Sequence, residues 1–229
     1  MKTRALPLAL LFACGTWSNE DVEYVLALPL GETVRSNLGG MGSSEGFEHT
    51  RRAAAELNGI PATVLGVLET LRTTPPTTRT ATSRIWGPYD DLERPGHQNQ
   101  AEIHRETDTL FTWAIKTRRT GDRFQAVAFG DAVATGEGHF VLAVPEAHLE
   151  TGYVTREDPT VVQLDARGPD GGTLQYTYRG WRDGSGTLEL GLNTVTVTAS
   201  WRSDGSGRID APDAGECWNG ERTAVACAP

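Results

Sequence analysis

The chain has 229 residues, of which 38% are hydrophobic and 22% are charged, enough for one folded domain plus an export signal and a tether. Its formal net charge of −9 repels phosphate backbones and anionic lipid surfaces at long range, which argues against a nucleic-acid partner. The sequence contains no run of about 20 apolar residues, so we expect no helix that crosses a bilayer and any membrane association to come from a covalent lipid.

The first fourteen residues have the pattern of an export signal. Lys2 and Arg4 give a positive start, residues 5–13 form a short apolar run, and Ala13 precedes Cys14. A basic region, an apolar region and a small residue before the cut describe a secretory signal peptide over 1–13. Cleavage after Ala13 would remove both cations and change the formal net charge from −9 to −11.

The run Leu11-Phe12-Ala13-Cys14 also resembles the lipobox of bacterial envelope lipoproteins. Leu11 and Ala13 match that pattern, whereas Phe12 stands where a smaller residue is usual. The resemblance implies that Cys14 becomes the mature N-terminus and carries the lipid anchor, a palmitate-type modification. Gly15, in place of an acidic residue, implies sorting to the outer membrane. A plain secretory signal with an incidental cysteine is the alternative.

Two further cysteines lie near the C-terminus. Three cysteines are an odd number for an exported protein, so lipidation of Cys14 would leave Cys217 and Cys227 as a pair. Asn219-Gly220 is a turn dipeptide that would bring the two together, and closing this short loop would stabilise the fold by roughly 2–3 kcal/mol. Two free thiols are the alternative, while a metal site would lack nearby histidines.

Residues 14–46 are interpreted as a lipid-anchored tether, in which 24–30 could add a short strand or a turn of helix to the body. Residues 47–229 are predicted to form a single domain that begins with a helical segment, 47–73. Five apolar residues in this segment recur at steps of three or four and predict one buried helical face. They are Leu57, Ile60, Val64, Leu68 and Leu71. Pro61 fits the first turn of a second helix, which predicts a helical hairpin over about 48–57 and 60–72.

From 83 to 211 the pattern changes to short strands. Phe111, Trp113 and Ile115 alternate with more polar residues, and Asp-Gly turns such as 183–186 and 204–207 separate the runs. This pattern predicts an antiparallel meander, and about eight strands would suffice to close it into a barrel. The fold class is therefore mainly β with a small α part, followed by a disulfide-linked tail over 212–229. The similar runs 181–186 and 201–207 are interpreted as successive hairpin turns.

Three patterns that resemble functional motifs have simpler explanations. Residues 42–46 match Gly-x-Ser-x-Gly but lie in a glycine-rich linker without the parallel sheet that a nucleophilic serine needs. Glu102, His104 and Glu106 would share one face of a strand and could bind a metal together with His139, although a solvent-facing strand explains them equally. Seven aromatic residues could line a ligand pocket or fill the core. They are Trp86, Tyr89, Trp113, Tyr176, Tyr178, Trp181 and Trp201.

The sequence therefore predicts an exported envelope lipoprotein that acts as a non-enzymatic binding or structural module. No catalytic residue, cofactor or metal site is assigned. A small barrel that binds an apolar ligand is one alternative. An extracytoplasmic hydrolase, with a site assembled from residues distant in sequence, is the other.

Overall fold

The structure, a computed structural model, describes residues 16–28, 66–133, 136–144, 147–154, 157–168, 170–212 and 214–227. These residues form antiparallel β-strands and two short helices, which confirms the prediction of a mainly β fold. Helix α1 is Asn19–Ala27, and the helical residues 66–71 are called α2. Within the described ranges neither helix has the length and apolar character needed to cross a membrane.

Within the described residues, fourteen strands follow one another in one sheet, and their spatial order is their order in the chain. The strands are β1 Thr78–Arg79, β2 Ser83–Asp90, β3 His97–Arg105, β4 Leu110–Arg119, β5 Gln125–Val133, β6 Glu137–Val144, β7 Ala147–Val154, β8 Thr160–Arg167, β9 Thr173–Gly180, β10 Gly186–Leu192, β11 Val195–Trp201, β12 Gly207–Ala211, β13 Ala214–Trp218 and β14 Ala224–Val225. The sheet is not closed, so the barrel is not confirmed.

The contacts divide the described residues into two compact units. The first contains α1, α2 and β1–β6, and the second contains β7–β14. The boundaries that the sequence predicts at 13/14 and 46/47 lie outside the described residues and stay predictions.

The first unit packs both helices on its sheet. On β4 the predicted alternation buries Phe111, Trp113 and Ile115, because successive side chains of a strand point to opposite faces. Leu68 and Leu71 of α2 are fully buried, as the helical pattern predicts. The rest of that stripe, with most of the predicted hairpin, lies outside the described residues.

The second unit buries one face of its strands and exposes the other. On β10, Leu188 and Leu190 are 2% and 3% exposed, whereas Glu189 between them points to solvent. Leu190 pairs in register with Tyr176 on β9 and Val197 on β11, so the apolar face continues across the three strands. This alternation is what the sequence predicts for half-buried antiparallel strands.

The similar runs 181–186 and 201–207 lie at hairpin turns of the second unit, but the tryptophans with which they begin occupy different positions relative to those turns. Trp201 is the last residue of β11 and pairs with Gly186 and Gly207, whereas Trp181 follows the last residue of β9 and lies in the turn. Backbone bonds from Trp181 N to Ser185 O and from Arg202 N to Ser206 O show that Trp181 corresponds to Arg202. The two tryptophans are therefore not equivalent, and the runs are offset by one residue.

Each buried tryptophan of this region covers a neighbouring hairpin. The indole Nε1 of Trp201 donates to Gly184 O at 3.1 Å, and that of Trp218 donates to Gly205 O at 2.8 Å. A Cβ on Gly186 would overlap the Trp201 ring, so glycine is required where the ring crosses the strand. Each of these turns is thus held by a tryptophan on the second strand after it, β11 for the first turn and β13 for the second.

Candidate functional site

The predicted lipid site cannot be placed. Cys14 lies outside the described residues, as does the Gly-x-Ser-x-Gly run at 42–46. Cys217 and Cys227 are paired in the structure with their Cα atoms 5.1 Å apart, within the roughly 7 Å that a disulfide allows. This geometry fits the predicted bond, which would link β13 to the residues just after β14.

The three residues weighed as metal ligands have other partners. Glu102 forms an ion pair with Lys116 on β4, and the His104 ring Nδ1 lies 2.8 Å from the Ser83 hydroxyl. Glu106 lies beyond the end of β3 and accepts a hydrogen bond from the Thr112 hydroxyl at 3.0 Å. In the part of the chain that the structure describes, no group of three or more His, Cys, Asp or Glu side chains could hold a metal ion.

The aromatic residues are divided between the two units. Trp86 and Trp113 are buried in the first unit, where the Trp86 indole donates to Thr74 O at 2.6 Å. Tyr178 stacks on Trp201 in the second unit, with ring centroids 6.3 Å apart. Trp181, by contrast, is 36% exposed. Most of the set therefore fills the core, as aromatic residues on strands usually do.

A buried ion cluster that sequence reasoning missed holds α1 on the sheet. Asp21 of α1 is fully buried, and its Oδ1 accepts a hydrogen bond from Arg84 Nε on β2 at 2.5 Å. Its Oδ2 accepts from Arg79 Nε and Nη2, on β1, at 3.0 and 2.9 Å. Arg84 is itself only 2% exposed. Asp21, Arg79 and Arg84 are called the α1 clamp below.

The α1 clamp begins at the helix N-terminus. Ser18 is the N-cap, its hydroxyl accepts from the Asp21 backbone N–H, and the Asp21 carboxylate accepts from the Ser18 N–H at 2.9 Å. This reciprocal capping box satisfies two backbone donors that a helix start leaves open. The Ser-x-x-Asp spacing is the sequence signal for this helix start.

Electrostatics keep the Asp21 carboxylate ionised. Burial alone would raise its pKa, but hydrogen bonds from Arg79, the Ser18 backbone, Arg84 and the Ser18 hydroxyl outweigh burial and hold the pKa well below its usual range. The folded protein therefore stabilises the ionised form of Asp21. Removing the Asp21 carboxylate would take away the buried counter-charge of the Arg84 guanidinium.

Further contacts surround the α1 clamp. Glu20 pairs with Arg84 at 3.0 Å, and Glu23 pairs with Arg105 of β3 at 2.5 Å. The guanidinium carbons of Arg84 and Arg105 lie 4.4 and 4.7 Å from the centroid of the Tyr24 ring. The Tyr24 ring in turn meets Phe111 edge-on at 5.5 Å. This arrangement fixes the position and the orientation of α1 against the first unit.

A second polar cluster shapes the loop before β3. The Asp91 carboxylate accepts from Arg94 Nε at 2.8 Å and from Asn99 Nδ2 at 3.2 Å, and it also accepts the Glu93 and Arg94 backbone N–H groups. Burial alone would raise the pKa of Asp91, but these bonds lower it. All its partners lie within eight residues, so the cluster closes a loop.

Comparison with known proteins adds no assignment. Neither a family model nor a curated protein nor a solved structure matches this chain.

Proposed function

We propose that the protein is an exported envelope lipoprotein whose β body serves as a non-enzymatic binding or structural module at a membrane surface. The proposal takes its anchor from the lipobox resemblance at Cys14 and its localisation, the outer membrane, from Gly15. The observation that carries it is the α1 clamp. α1 starts at Asn19, only five residues after Cys14, and is fixed to the sheet by a buried carboxylate.

A lipid on Cys14 would therefore hold the folded body close to the membrane. Five residues span at most about 18 Å when fully extended. The residues from Asn19 to Ala27 cannot lengthen that reach while the α1 clamp is intact. Such an arrangement suits a binding or structural module that acts at the surface of the membrane to which it is anchored.

The alternative of an apolar-ligand barrel has less support. It would require the sheet to close around an apolar cavity large enough for a ligand, typically about 300–1,000 Å³. The apolar cavity between α2 and the sheet, lined in part by Leu71, Trp86 and Ile115, has a volume of about 10 Å³. This volume is at the lower limit for a cavity that holds one water molecule. Side chains fill the space that such a ligand would need there.

The proposal is tested by replacing the predicted acylated cysteine. Cys14→Ser should abolish palmitate labelling and move the protein from the membrane fraction to the soluble fraction. The double variant Cys217→Ser/Cys227→Ser is the matched control, since it removes the other two cysteines and should stay in the membrane fraction. A Cys14→Ser protein that remains in membranes and is cut at the same position would refute the lipoprotein assignment.

A further inference from the structure

We propose that the exposed apolar face of α1 lies against the lipid bilayer, so that the anchored body has one fixed orientation on the membrane. This apolar α1 face consists of Val22 and Leu26. The inference rests on the proposed function, because it takes the lipid on Cys14 as its starting point. It goes further by assigning the surface of the protein that the bilayer covers.

Exposure separates the two faces of α1. Asp21, Tyr24 and Val25 are 0%, 1% and 4% exposed and pack on the sheet. Val22 and Leu26 are 40% and 58% exposed, although a nine-residue helix in water would normally present polar residues there. They lie four residues apart, so they are neighbours on one side of the helix.

The acidic residues of α1, which form the flank of the apolar α1 face, are paired with arginines of the sheet. Three carboxylates, those of Glu20, Asp21 and Glu23, are matched by the guanidinium groups of Arg79, Arg84 and Arg105. The flank therefore carries no net charge, although the whole chain has a formal charge of −9. Repulsion from anionic headgroups, which the net charge would otherwise cause, is weak at this surface.

The position of the anchor identifies the bilayer as the occupant. Val22 follows Cys14 by eight residues, and the last three of these steps are helical, with a rise of only 1.5 Å each. The acylated cysteine would therefore keep Val22 within about 22 Å and Leu26 within about 28 Å of the anchor at the lipid surface. At such a high effective concentration, two apolar side chains suffice to bias the orientation.

Fluorescence quenching by the membrane itself tests this placement. Val22→Cys and Leu26→Cys, each in the full-length acylated protein, are labelled with an environment-sensitive fluorophore and placed in vesicles that contain doxyl-labelled lipid. The matched control is Glu20→Cys, since Glu20 lies on α1 but away from this face and is 79% exposed. We expect at least twofold stronger quenching at 22 and at 26 than at 20.

Acylation is measured on the same samples by mass spectrometry, which separates the two claims. Equal quenching at all three positions, or none, with Cys14 acylated would overturn the inference and leave the lipoprotein proposal intact. Crosslinking of Leu26→Cys between two acylated copies without quenching would overturn it in favour of a dimer contact. Absence of the acyl group would overturn both claims.

Discussion

Asp21 decides the position of α1 at the scale of single residues. Its carboxylate is fully buried and accepts from two arginines that lie 58 and 63 residues further along the chain. A bond of this kind joins the start of the described chain to the first strands of the sheet. The helix would have little stability alone, because nine residues are too few for a helix in water.

Removal of the Asp21 carboxylate should therefore destabilise the first unit. Asp21→Ala removes the buried partner of the Arg84 guanidinium, whose ion pair with Glu20 involves an exposed carboxylate, and we expect a loss of about 3–5 kcal/mol in the free energy of unfolding. Asp108→Ala, at an exposed turn residue, is the control and should stay within about 0.5 kcal/mol of the parent. Urea unfolding of the Cys14→Ser protein measures both. Similar midpoints for the two variants would show that the α1 clamp contributes no stability.

The same carboxylate predicts how stability depends on pH. The pKa of Asp21 is lower in the folded protein than its unfolded value of about 3.9, so its contribution is present above that value. The contribution is lost as the pH falls from about 4 toward the lowered pKa. Asp21→Asn should therefore flatten the loss of stability below pH 4, as measured by unfolding midpoints between pH 2 and pH 6. An unchanged acid profile in Asp21→Asn would contradict this assignment.

At the scale of elements, a glycine under a tryptophan fixes the contact between successive hairpins. Gly186→Ala would place a methyl group inside the Trp201 ring, and such overpacking costs about 1–3 kcal/mol. Gly191→Ala, on the same strand, is the control because its new Cβ would meet Gln175 at an ordinary 3.6 Å. Thermal unfolding should show a lower midpoint for the first variant only. Equal effects would exclude the ring contact as the reason for glycine.

The two faces of β10 make a second prediction at this scale. Leu190→Asp places a carboxylate on the buried face and should unfold or strongly destabilise the second unit, since the buried leucine alone contributes about 1.5–3 kcal/mol. Glu189→Lys, on the exposed face, should be nearly silent. Circular dichroism and urea unfolding distinguish them. If both substitutions behaved alike, the assignment of the buried face would be wrong.

For the whole molecule, the sequence predicts the strands that alternate clearly and the turns that contain Asp-Gly. It predicts about eight strands, whereas the part of the chain that the structure describes forms fourteen, because several strands lack an alternating apolar pattern. β13, Ala214–Trp218, is built largely from small residues, and β1 and β14 have two residues each. Pairing with a neighbouring strand makes these segments extended, and no local pattern reveals such pairing.

Contacts between residues distant in sequence also limit how much of the candidate site can be predicted. The Ser18-x-x-Asp21 spacing indicates a helix start, yet the partners of Asp21 are distant in sequence, so the α1 clamp cannot be predicted from local pattern. The interpretation of 14–46 as a tether includes a short strand or a turn of helix at 24–30. In the structure, α1 instead occupies Asn19–Ala27 and packs on the first unit. The cysteine pair can be predicted because the assignment of Cys14 to the lipid leaves two cysteines, which lie close together in sequence on either side of the Asn219-Gly220 turn.

The intact mass of the mature protein, purified from membranes of the native host, tests the central claim most directly. The account predicts a chain that begins at Cys14, carries acyl groups on that residue and retains the mass of one disulfide between Cys217 and Cys227. A mature chain that keeps residues 1–13, or that begins at Cys14 without any acyl group, would contradict it.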